Sequence, residues 1–107
     1  MKLFKKKNER ILPELVDAMK PGALPRLVHF YLYFPTDEIA GRAQVLISDD
    51  PELTSEVRPG ADGTSYLLLI TTRSTNPTQV LSHLQPKFEE LAGSLGGEYD
   101  GWEAEVH

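Results

Sequence analysis

Hydrophobic and polar residues along this chain recur with two different periods, and the changes of period mark its elements. Ile11, Leu12, Leu15, Val16 and Met19 lie at helical spacing. Pro13 suits that helix only in its first turn, where a missing N–H costs nothing, and Pro21-Gly22 stops it near Lys20. From Leu27 to Phe34 the period falls to two. Val28, Phe30, Leu32 and Phe34 make one side, Leu27, His29, Tyr31 and Tyr33 the other, and the aromatic and β-branched content favours a strand. After Pro35, Thr36 caps a second helix with Asp37 and Glu38 at its positive end, and Ile39, Ala43, Leu46 and Ile47 form its apolar side. Ser48-Asp49-Asp50-Pro51 breaks it.

A short strand over Thr54–Val57 follows, then the turn Arg58-Pro59-Gly60-Ala61-Asp62-Gly63, whose Asp-Gly pair hands over to the next strand. That strand, Thr64–Arg73, contains Tyr66-Leu67-Leu68-Leu69-Ile70, a continuous apolar run expected of a central strand covered on both faces. Asn76 caps and Pro77 opens a long helix with the stripe Val80, Leu81, Leu84, Phe88, Leu91 and Leu95. Pro86 inside it predicts a single bent helix. Gly96-Gly97 ends the helix, and Trp102, Ala104 and Val106 alternate with Gly101, Glu103 and Glu105 in a terminal strand. From Leu27 the order is βαββαβ, the split βαβ ferredoxin-like pattern of an α+β fold, with an antiparallel sheet whose first and third strands are central. The expected organisation is a basic arm and N-terminal helix over residues 1–25, then the ferredoxin-like domain over 26–107. Both helices then cover one sheet face, leaving the other to solvent, the N-terminal helix or a partner.

At 107 residues the chain is one domain, and 40% apolar with 25% charged residues is the balance of a soluble globular protein. No cysteine is present, which excludes disulfides, thiolate metal sites and cysteine nucleophiles. The longest apolar run is far below the roughly 20 residues of a membrane span, and no apolar region follows the basic start as a secretory signal requires. A cytoplasmic protein without membrane contact is expected. The net charge of −5 is unevenly placed. Residues 1–10 carry five cations against Glu9, and the remaining 97 residues carry six cations against fifteen carboxylates. So acidic a body repels phosphate backbones and suits a basic protein partner rather than nucleic acid. The arm itself reads either as an anionic-surface contact or as a solvated terminus.

No catalytic constellation emerges. His29, His83 and His107 have no marked nucleophile, and no metal-ligand spacing is present in Asp49, Asp50, Glu52 and Glu56, which read as a solvated connection. Glu103 and Glu105 project together, roughly 7 Å apart on strand geometry, but nothing indicates an apolar pocket to raise one pKa. Gly93, Gly96 and Gly97 lie at a helix exit, the wrong end of the dipole for a phosphate. An RNA platform of His29, Tyr31 and Tyr33 on the first central strand is opposed by the acidic body and by a third strand without the basic and aromatic pattern of such domains. No enzyme, cofactor or metal is expected.

Gly97-Glu98-Tyr99-Asp100-Gly101-Trp102-Glu103 holds the only Trp of the chain and a cluster of its carboxylates. Tyr99, Asp100 and Gly101 read as the turn that positions Trp102, which anchors the core or meets a partner. An acidic and aromatic rim of Tyr99, Asp100, Trp102, Glu103 and Glu105 suits a basic partner. The core Glu98-Tyr99-Asp100-Gly101-Trp102, leaving a helix for a final strand, resembles the C-terminal signature of the RraB family, the bacterial regulators of ribonuclease activity B. The order of elements from about residue 26 to 107 matches as well. The resemblance implies a non-catalytic protein that binds a ribonuclease E-like enzyme and modulates RNA decay. This chain departs from the family's best-known pattern, which continues into an acidic tail, and it adds the basic arm. A general protein-binding or immunity-type module, or a dimeric small-molecule-binding domain using the open sheet face, are the alternative functions. The pattern leaves monomer and dimer both open.

Overall fold

A computed structural model describes residues 2–6 and 25–106, with side chains from 25 to 105. The helix expected over Ile11–Lys20 lies outside the described residues. Among them the order is β1 (Lys2–Lys6), β2 (Arg26–Phe34), α1 (Asp37–Ile47), β3 (Thr54–Pro59), β4 (Tyr66–Ser74), α2 (Pro77–Ser94) and β5 (Glu98–Val106). The strands form one sheet in the order β1-β5-β2-β4-β3, each neighbouring pair antiparallel. From β2 onward this is the ferredoxin-like α+β arrangement, with the two strands expected at the centre, β2 and β4, beside each other. β1 adds an edge strand on β5, with Lys2 opposite Val106 and Lys6 opposite Trp102. Nothing in the period of Lys-Leu-Phe-Lys-Lys marks it as a strand; pairing with β5 is a tertiary event that a five-residue pattern does not announce.

α1 covers β3 and β4 while α2 covers β5 and β2, so both helices lie on one face. Val28, Phe30, Leu32 and Phe34 of β2 are buried there with Leu68 and Ile70 of β4, beneath Leu81, Leu84, Phe88 and Ala92 of α2. Phe30 and Phe88 meet edge to face with ring centroids 4.9 Å apart, the arrangement the aromatic quadrupole favours. Leu27, His29, Tyr31 and Tyr33 are half-buried on the opposite face. Leu67 is buried on that opposite face too, which bears out β4 as a strand covered on both sides.

Both helix starts follow their capping residues. Thr36 Oγ1 accepts from Ile39 N at 3.1 Å, and Asn76 Oδ1 accepts from Gln79 N at 3.3 Å with Pro77 in the first turn. α2 continues through Pro86 as one helix. The apolar side expected for α1 is corrected in part. Ala40, Ala43 and Ile47 are buried, whereas Leu46 is 58% exposed, because it lies about 100° round the helix from Ile47 and away from the sheet.

Beyond the Leu95 cap the chain leaves α2 through Gly96 with φ +73°, a left-handed position that glycine takes without steric cost. Gly96 N donates to Gly93 O and Gly97 N to Ala92 O at 2.8 Å, the paired bonds of a Schellman motif. A Cβ at Gly97 meets the carbonyl of Tyr33 and the ring of Phe34, so the chain enters β5 in direct backbone contact with the end of β2. Gly97→Ala should therefore destabilise the protein by about 1–3 kcal/mol, while Gly93→Ala, with open space around its Cβ, should stabilise it by about 0.5–1 kcal/mol. Equilibrium urea denaturation of the two variants reads both, and equal midpoints would show that the contact at Gly97 does not constrain the fold.

Candidate functional site

β5 does not alternate along its whole length. Against β2, Trp102 pairs with Phe30 and Gly101 with Tyr31, but Leu32 pairs with Tyr99, so the register shifts and Asp100 is the additional residue of a β-bulge. Gly101 takes φ +116° beside it, a conformation closed to most side chains. The bulge lets two aromatics three positions apart enter the same face. Tyr99 and Trp102 are both in the core, and Tyr99 Oη donates to Gln85 Oε1 of α2 at 3.1 Å. The expectation that Tyr99-Asp100-Gly101 is a turn is thus corrected. The turn is Leu95-Gly96, and the three residues are already strand. A Gly beside an Asp between aromatics at i and i+3 was the signal that strict alternation overlooked.

Of the five expected partner-binding residues, Trp102 is fully buried and Tyr99 nearly so, both under α2. Trp102 Nε1 has no hydrogen-bond partner among the described residues, which fits a side chain placed for its volume. Asp100, Glu103 and Glu105 lie away from the helices. Glu103 pairs across with His29, and Glu105, two residues on, shares its side of the strand. Glu105 is buried and Glu103 half-buried. Glu98 joins them opposite Tyr33. Asp100, Glu98 and Tyr33 form a cleft of about 380 Å³ with Asp62 and Ser65 of the β3–β4 turn. The Asp62 carboxylate is held by Thr64 N, Ser65 N and Ser65 Oγ at 3.0 to 3.1 Å, and those bonds, Thr64 N first, keep its pKa below the ordinary value.

The centre of this face is Tyr31. Burial first, then a hydrogen bond to the Glu103 carboxylate and the charge of Glu103, push its phenol up to about 12, against a smaller opposing effect of Arg58. Beside it His29 Nδ1 is hydrogen-bonded to Thr71 Oγ1 at 2.9 Å. The face thus combines two tyrosines and a histidine with Glu98, Glu103 and Glu105, and Glu56 and Arg58 of β3 are exposed at its other margin. A further cleft, of about 440 Å³, lies between the α1–β3 connection and α2, where Leu53, Val80 and His83 meet Arg73 and Glu52. Among the described residues, no group of three or more His, Cys, Asp or Glu could hold a metal ion, and no helix is long and apolar enough to cross a membrane.

The family model described as regulator of ribonuclease activity B, RraB, matches residues 5–104. The chain belongs to this family. No curated protein and no solved structure matches it. RraB membership assigns the chain to regulators of ribonuclease activity and to action on a protein partner, and the match takes in β2 to α2 and β5 through Ala104. The bulge therefore lies within the matched region with Glu98, Asp100 and Glu103, and Glu105 falls one residue beyond it.

The link between Tyr31 and Glu103 can be read directly. In Glu103→Gln the Tyr31 titration, followed by ultraviolet difference absorbance, should fall from about 12 but stay above 10.0, since burial, the larger cause, remains. An unchanged midpoint would show that Glu103 does not act on the phenol. Because the folded-state pKa is raised, the stability contributed by neutral Tyr31 is complete below about pH 10 and is lost as pH rises towards about 12. Tyr99, raised by burial and by the charge of Glu89, acts in the same direction.

Proposed function

We propose that this RraB-family chain restrains a ribonuclease E-type endoribonuclease in the bacterial cytoplasm by binding it through the acidic sheet face, without cutting RNA itself. Membership of a family of ribonuclease regulators across residues 5–104 carries the reading. The charge distribution supports a basic partner surface. Residues 25–106 hold five cations against thirteen carboxylates, a net −8, and β5 alone carries Glu98, Asp100, Glu103 and Glu105 with no cation. Such a surface attracts Lys- and Arg-rich protein segments and repels the phosphates of RNA. Tyr31 also speaks against a base-stacking platform, since its hydroxyl is engaged by a carboxylate next to the ring. The alternative of a general protein-binding module keeps the same face and changes only the partner.

The deciding experiment is a titration against the full-length ribonuclease E homologue of the source organism and against its isolated non-catalytic region, with RNA cleavage measured on the same samples. Micromolar or tighter binding with slowed cleavage is expected. Glu98→Lys with Glu103→Lys should weaken binding at least tenfold and restore cleavage, because both charges lie on the proposed contact. Absence of binding at tens of micromolar by a folded protein would remove this ribonuclease as the partner. Binding unaffected by the double substitution would move the contact off the sheet face.

A further inference from the structure

The outer edge of β5 is occupied by β1, the strand from the start of the same chain. The two elements differ sharply in charge: β1 reads Lys-Leu-Phe-Lys-Lys and is followed by Lys7, whereas β5 is acidic throughout. Their register sets Leu3 opposite Glu105 and Lys5 opposite Glu103. β1 is also the shorter partner. It pairs with Trp102 to Val106, and among the described residues Glu98 to Gly101 have no strand on that edge.

β5 does not need β1 to stay in place. Its other edge is paired with β2 from Glu98 to Ala104, and Tyr99, Trp102 and Ala104 are locked into the core under α2. A five-residue edge strand, by contrast, belongs to the low-stability end of a structure, where local opening costs far less than global unfolding. An opened β5 edge presents a row of unpaired N–H and C=O groups beside carboxylates. Such an edge takes up an extended segment by strand addition, with main-chain hydrogen bonds giving affinity and flanking charge selecting the occupant.

We infer that the outer edge of β5 is a docking site for an extended, lysine-rich segment of a partner protein, and that β1 is the internal occupant which that segment displaces. The backbone edge of β5 is distinct from the open face of the sheet although Glu103 and Glu105 border both, and the inference holds whichever protein supplies the segment. A tethered occupant competes intramolecularly, so weak basic peptides are at a disadvantage until β1 is released.

The test uses the full chain carrying Leu3→Pro and Phe4→Pro. Successive residues of a strand alternate in the edge to which their N–H points, so one of the two prolines removes a donor facing β5. The probe is a fluorescent acetylated peptide with the sequence of residues 1–8, and the control peptide has its lysines replaced by glutamate. The variant should bind the basic peptide at least tenfold more tightly than the unaltered protein does, and should bind the control much more weakly. Amide exchange at residues 102–106 should speed up in the variant and slow again when the peptide is added. Equal affinity of the two proteins, equal binding of the two peptides, or binding without renewed protection of β5 would each overturn the inference. Loss of cooperative thermal unfolding in the variant would overturn it too, since β1 would then be required for the fold. A dimer of the unaltered protein that the prolines abolish would make the occupant a second copy. No ribonuclease enters this assay, so its outcome is independent of the titration proposed above.

Discussion

One additional residue in the last strand sets the chemistry of this molecule. Without the bulge at Asp100, period-two alternation would place Tyr99 and Trp102 on opposite sides of the sheet, and one of two large aromatics would leave the core. With it, both side chains enter under α2, and the carboxylates on either side of the bulge turn outward. The cost is concentrated at Gly101, whose φ of +116° is the condition for the shift. Core packing and surface charge are therefore set by the same local distortion, and neither can be changed there without the other.

The remainder of the architecture supports this arrangement. The Schellman exit of α2 and the close approach of Gly97 to the end of β2 fix where β5 begins, and the capping of α2 by Asn76 fixes where that helix starts. Between them they position Gln85 to accept from Tyr99. The helical face is largely apolar and closed, while the opposite face carries Tyr31, Tyr33, His29 and most of the β5 charge. A regulator that works by contact needs this kind of division, with a rigid scaffold behind a charged surface, and the RraB match spans the elements that build it.

Much of the fold was legible because the local signals agree with the tertiary result. Thr36 and Asn76 cap the helices as their residue types predict, and the alternation in β2 reads directly as a buried and a half-buried face. The apolar run of β4 marks a central strand for the same reason. Three features were not legible. Leu46 belongs to the apolar pattern of α1 by spacing, but the position of the sheet decides which part of that stripe is used. β1 has no period of its own, since its place is set by a partner strand almost a hundred residues away. The candidate site divided along the bulge: Glu103 and Glu105 were placed on one side by alternation, whereas Tyr99 and Trp102 reach the core together, and Asp100 leaves it, through a backbone distortion that composition alone does not announce.

Trp102 has a consequence that reaches beyond packing. It is the only tryptophan of the chain, it is wholly buried, and its indole N–H meets no acceptor among the described residues. An indole in such surroundings emits at short wavelength, because neither water nor a hydrogen-bonding neighbour relaxes its excited state. The protein thus contains a single intrinsic optical label at the junction of sheet and helix. Four tyrosines can transfer excitation to it, and its colour reports whether that junction is closed.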